Sequence, residues 1–154
     1  MIHQTKVNLF KQSRENFIKL LNSLPEEKLF VIPKGFNNNI IWNFAHCVVA
    51  QQSLLYKISG NEVIVNDDLV NTYKKGSLAS DVFLKGLKNQ MIEISNLAVN
   101  KLSIDCLTPE FFDDFQVYPT SFGFEINSLD TALDFNNLHE GLHFGYAMAL
   151  KRAI

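Results

Sequence analysis

Apolar residues recur at helical period in four separate stretches of this chain, and each stretch is bounded by a proline, a glycine or a capping residue. From about Ile2 to Leu24, the set Leu9, Phe10, Phe17, Leu20, Leu21 and Leu24 falls on one stripe, and Pro25 ends the run. After the breaker-rich loop FVIPKGFNNN, Asn39 caps a second helix that reads IIWNFAHCVVAQQSLLYKIS as far as Gly60. Its first half is apolar nearly all round, as in a helix surrounded by others. A third helix is expected from a Ser80 cap through DVFLKGLKNQMIEISNLAVNKL, with Val82, Phe83, Leu87, Met91, Ile94, Leu97 and Ala98 facing inward. A fourth starts near Ser128 and carries Leu129, Ala132, Leu133, Phe135, Leu138, Leu142, Tyr146 and Leu150 towards the C-terminus. Such stripes are buried only against one another, so the expected fold is all-α, a four-helix bundle. With 154 residues and 47% hydrophobic content, residues 1–154 are expected to form a single domain around one sizeable core.

Two connections are long. The segment NEVIVNDDLVNTYKKGSLAS is expected to hold a short helical turn around DDLVNTYKK. Residues 103–127 are rich in aromatics and punctuated by Pro109, Pro119 and Gly123, and FQVYPTSFGFEI reads as a short hairpin. Loops of this length in a compact domain are usually functional or cover something.

Charge narrows the partners. Fourteen basic and sixteen acidic residues give a formal charge of −2, without the clustered basic footprint that a phosphate backbone requires, so no nucleic-acid partner is expected. No apolar run approaches the roughly 18 residues needed to span a bilayer, and the first residues lack the apolar core of a signal peptide. A soluble cytoplasmic protein without membrane partners is the expectation. Cys47 and Cys106 have no CxxC or zinc-ribbon spacing and read as small core hydrophobes.

The histidines carry the chemistry. His3 sits at the frayed start of helix one and reads as a solvated surface residue, whereas His46 lies amid apolar residues in NFAHCVVA. His139 and His143 are four apart, so both imidazoles share a face of helix four. Burying imidazoles without partners costs roughly 1–3 kcal/mol for each unsatisfied group, and a metal removes much of that cost by taking one nitrogen of each ring. His46, His139 and His143 together make the ligand set of an open zinc-type site, with a fourth position for water or substrate. Imidazole suits Zn, Ni, Fe or Co. Spacing alone leaves ordinary core or surface histidines as the alternative.

Neighbouring residues offer few further groups. Asn43 stands one turn before His46, where its amide either reaches a ligand imidazole or caps the core. Tyr146, three after His143, is a pocket hydroxyl or a core aromatic, and Trp42 reads as core. Glu140 projects about 100° from His139 and is expected to be a surface or dimer-rim charge. Asp134 would reach an imidazole only through a bend or a water. No clear second acid or base stands out.

The run IIWNFAHCVVAQQSLL, with Trp42 four residues before His46, resembles the helix-two signature of the DinB-like (damage-inducible-like, YfiT-like) proteins. HEGLHFGYAMAL is similar to that family's closing HxxxHxG helix, supplied by His139, His143 and Gly145, and YKKGS, Tyr73 to Ser77, is similar to a segment before its third helix. Where the family often carries a polar or basic residue after the second histidine, this chain has Phe144. The resemblance spans the whole chain. It implies a four-helix bundle with long crossover loops after helices two and three, a divalent metal on three histidines at one end, and frequent homodimers. It further implies a small-molecule substrate and a metal-activated low-molecular-weight thiol, as in bacillithiol- or mycothiol-dependent transferases and isomerases, or else a metal-dependent hydrolase. Zn or Ni is the expected ion. The rival expectation is a non-catalytic bundle that serves as a binding or stress-associated module.

Overall fold

The structure, a computed structural model, describes residues 2–154. Its helices are α1 (Ile2–Asn22), α2 (Ile40–Gln51), α3 (Asp67–Tyr73), α4 (Leu87–Asp105) and α5 (Leu129–Ala153). Two short strands, β1 (Tyr118–Pro119) and β2 (Glu125–Ile126), pair antiparallel with Tyr118 opposite Ile126. The fold is therefore all-α with one small ribbon. Helices α1 and α2 each pack on both α4 and α5, and the short α3 lies on α2. Among the described residues no helix is long and apolar enough to cross a membrane.

Local signals explain most helix ends. Asn39 Oδ1 accepts the Trp42 N–H at 3.0 Å to start α2, and Asn66 Oδ1 does the same for Leu69 in α3 at 2.9 Å. Ser128 and Thr131 form a reciprocal capping box at the start of α5. The second expected helix does continue towards Gly60, but with a change of pitch. After α2 come a π turn over Gln52–Tyr56 and a 3-10 turn over Lys57–Ser59, and Gly60 closes the run at φ +72°.

The third helix departs from expectation. It begins at Leu87, not after Ser80, because Gly86 stands at φ +87° and the exposed N-terminus of α4 is capped from a distance: Glu26 Oε1 accepts the Gly86 and Lys88 N–H groups at 3.0 and 3.3 Å. The Ser80 hydroxyl accepts the Val82 N–H in a local turn and starts no helix. Val82 is consequently 61% exposed and Phe83 partly so, and Leu97 also faces solvent while Ser95, Ala98 and Leu102 face inward.

Two other stripes are rotated from their expected positions, for one reason. On α1, Leu9 is exposed, and the buried face runs Val7, Phe10, Arg14, Phe17, Leu21. On α5, Leu138, Leu142 and Tyr146 are half exposed, and the buried face runs Leu129, Leu133, Asn136, Glu140, Ala147, Leu150. Each true inward face includes polar residues, which a purely apolar stripe steers around.

Arg14 and Glu140 form a node with Ser95 and Cys47 where four helices meet. Arg14 of α1 donates from Nε to Glu140 Oε1 at 2.6 Å, from Nη2 to Glu140 Oε2 at 2.8 Å, and from Nη1 to Ser95 Oγ of α4 at 3.0 Å. Its guanidinium also lies over the Phe10 ring, 4.9 Å from the centroid. Arg14 is 1% and Glu140 0% exposed, so the expected surface or rim role of Glu140 is corrected. A carboxylate this deep is tolerable only because the forked guanidinium satisfies both its oxygens. Cys47 of α2 is buried beside the pair, and burial together with the Glu140 charge pushes its thiol well above the usual range. Cys106 is likewise a buried free thiol.

Candidate metal centre

The centre is built from α2 and α5. Asn39 does more than cap: its Nδ2 donates to the Phe30 carbonyl at 2.9 Å and the Ser80 carbonyl at 2.8 Å, tying the loops on either side to the start of α2. One turn on, Asn43 Nδ2 donates to Asn38 Oδ1 and to the Asn39 carbonyl, which leaves Asn43 Oδ1 as an acceptor. Trp42 lies flat on the His46 ring, with centroids 4.8 Å apart and planes 5° off parallel, and its Nε1 donates to Ser77 Oγ.

Hydrogen bonds set the tautomers. A carbonyl only accepts, so His46 Nδ1 carries the proton it donates to the Tyr73 carbonyl at 2.6 Å. His143 Nδ1 donates to Asn43 Oδ1 at 2.8 Å. Both rings therefore present an Nε2 lone pair, the usual arrangement of a metal-ligating imidazole held by an outer partner. His46 Nε2 stands 3.2 Å from His139 Nε2, and one nitrogen from each of the three rings lies within 4.8 Å of the others. Two nitrogens sharing an ion at about 2.1 Å stand about 3.0 Å apart at a right angle and about 3.4 Å apart at the tetrahedral angle. The donor set fits a divalent ion.

Protonation favours the same chemistry. Burial, then the neighbouring His143 and His46, pushes His139 down to about 3; burial and His46 take His143 to about 4. His46 is also lowered by burial, against the opposing pull of the Tyr73 carbonyl. At neutral pH all three rings are uncharged and their lone pairs available.

The triad faces a cleft of about 510 Å³. Both long connections supply walls: Lys74, Lys75 and Gly76 of the YKKGS segment after α3, and Tyr118 with Thr120–Phe122 from the hairpin. Ser53 and Leu54 come from the π turn. Phe122 packs edge-on against Phe135, and Phe135 lies 6.2 Å from the His139 ring. The sequence pointed to these walls through the length of the two loops, the YKKGS resemblance and the expected hairpin, without assigning any of these residues to a cleft.

Other candidates fall elsewhere. Tyr146 packs edge-on against Phe36, outside the cleft lining. Asp134 accepts from Lys6 Nζ at 2.8 Å, and no hydrogen bond joins it to an imidazole among the described residues. His3 is partly exposed, 3.5 Å from Asp130. The string HEGLH matches the HExxH pattern in which the glutamate serves as a base beside zinc. Here Glu140 points into the core and is held by Arg14, so it cannot act at the cleft. Arg14 itself was overlooked, although it stands on the apolar stripe between Phe10 and Phe17, where a lone cation calls for a buried partner.

No curated protein matches the chain significantly. The sequence profile of the DinB superfamily matches residues 9–147, a span that holds all three clustered histidines, the whole of α2 and α4, and most of α1 and α5. On that match, the chain belongs to the DinB superfamily.

Proposed function

We propose that this chain is a divalent-metal-dependent enzyme acting on a small molecule, with His46, His139 and His143 as ligands in a four-helix bundle whose two long crossovers roof the site. One observation carries the reading: ring nitrogens from three imidazoles converge at the floor of an open cleft, and in two of the rings the opposite nitrogen is already committed to an outer partner. A bound divalent ion, Zn or Ni first and Fe or Co also compatible with imidazole, would supply Lewis acidity that brings the pKa of a water or thiol towards neutrality. Asn43 and the Tyr73 carbonyl hold the rings in the required tautomer, Trp42 prevents His46 from turning, and Phe122 with Phe135 keeps one wall dry. Transfer to or from a low-molecular-weight thiol of the bacillithiol type is the most concrete reaction, and hydrolysis is the other. A cytoplasmic homodimer completes the proposal. The half-exposed Leu138 and Tyr146 on α5 support it, as does the open space around Gly141 and Gly145.

A non-catalytic metal-binding or stress-associated module is the second reading. It draws on the lining of the cleft, where no Asp or Glu stands among the described residues to serve as a base. Elemental analysis of untagged protein beside a His46→Ala/His139→Ala variant tests the centre. About one divalent ion per chain, absent from the variant, is expected; metal-free protein that resists reloading with Zn or Ni would overturn it. With the ion established, thiol-transfer and hydrolysis assays on wild type and His143→Ala separate enzyme from module.

A further inference from the structure

The cleft has a charge of one sign. Its lining includes two ionic side chains, Lys74 and Lys75, both cationic and both exposed on the segment that follows α3. Neither takes part in an ion pair among the described residues, and Lys74 Nζ donates to the neutral Asn71 Oδ1. The cleft lining also includes the apolar surfaces of Trp42, Phe122, Phe135 and Leu142. A concave, partly desolvated surface with uncompensated charge of one sign concentrates ligands of the other.

We propose that the cleft selects a small organic anion, with its carboxylate held by Lys74 and Lys75 at the mouth and its apolar or aromatic body laid against Trp42, Phe122 and Phe135. This rests on reading the cleft as the ligand site and adds the class of ligand. The lysines have long, mobile stems and sit on the segment whose Tyr73 carbonyl holds His46, so the anion is gripped by the same segment that positions the metal ligand. Such placement turns the free end of the ligand towards the imidazole floor.

Trp42 is the one tryptophan of the chain and lines the cleft, so its fluorescence reports occupancy. The probes are 3-phenylpropionate and its primary amide, nearly identical in shape and different in charge. Both are titrated into chelator-treated and into zinc-loaded protein. The acid is expected to bind about tenfold tighter than the amide in both forms, equivalent to about 1.4 kcal/mol. That preference should vanish in Lys74→Gln/Lys75→Gln and persist in Lys74→Arg/Lys75→Arg. Both pairs lie on an exposed segment, and their melting curves should match wild type. Equal binding of acid and amide, no response to either at millimolar concentration, or a preference seen only with zinc and untouched by the Gln variant would each overturn the proposal. Failure of the metal reading leaves the acid preference of chelator-treated protein intact, whereas failure of this proposal leaves the metal stoichiometry intact.

Discussion

His139 and Glu140 are neighbours in the chain and face opposite environments, because successive helical residues point about 100° apart. One imidazole looks into the cleft and the next carboxylate into the core. Removing Arg14 alone would leave Glu140 buried and unpaired, so Arg14→Met is expected to destabilise the protein by about 3–5 kcal/mol. The Arg14→Met/Glu140→Leu double variant should recover most of that loss, as measured by urea unfolding. A double variant as unstable as the single one would mean that the node does more than neutralise itself. Asn43 presents a different kind of dependence, since it touches the centre only through His143 Nδ1. Asn43→Ala should weaken zinc binding about 10–100-fold in competition with a chromophoric chelator, with helical content unchanged by circular dichroism. Unaltered affinity would show that the His143 ring is held by packing alone.

Among the helices, α2 and α4 illustrate two kinds of terminus. Asn39 lies next to the helix it caps and is legible in the sequence; Glu26 caps α4 from 60 residues away and is not. Both are expected to matter by about 0.5–2 kcal/mol on replacement by Ala. Only Asn39→Ala should also lower metal affinity, because its side chain ties down the turn from which Asn43 and His46 project. Parallel unfolding and zinc titrations of the two variants test this; equal loss of affinity in both would indicate general loosening. The π turn after α2 shifts the helical register and brings Ser53 and Leu54 to the cleft, a geometry that no apolar periodicity signals.

For the molecule as a whole, burial of three neutral imidazoles links stability to pH. Unfolded histidines titrate near about 6.5, whereas His139 and His143 in the folded chain are held near 3 and 4. The unfolded chain therefore takes up protons first as pH falls. The contribution from neutral rings is fully present above about pH 6.5 and is lost progressively below it. Chelator-treated protein should show a falling urea midpoint from about pH 7 to about 5, a range above the titration of ordinary carboxylates. A His139→Leu/His143→Leu variant should show a flatter profile, and a wild-type midpoint constant over that range would contradict the assigned environment. Zinc acts in the opposite sense: at about a hundred times its dissociation constant a ligand of the folded state adds about 2.7 kcal/mol, read as a higher melting temperature.

By itself the sequence determined the all-α class, the spacing that puts His139 and His143 on one face, the Asn39 and Ser128 caps, and the hairpin around Tyr118–Ile126. These depend on residues within a few positions of one another, where backbone geometry alone relates side chains. Only the tertiary structure decided that α4 begins at Leu87, that Glu140 and Arg14 form the buried node, and that Lys74 and Lys75 line the same cleft as the imidazoles. Each of those facts joins residues far apart in the chain. Polar groups on an inward face are invisible to a hydrophobic stripe until their partners are known, because it is the partner that makes their burial affordable.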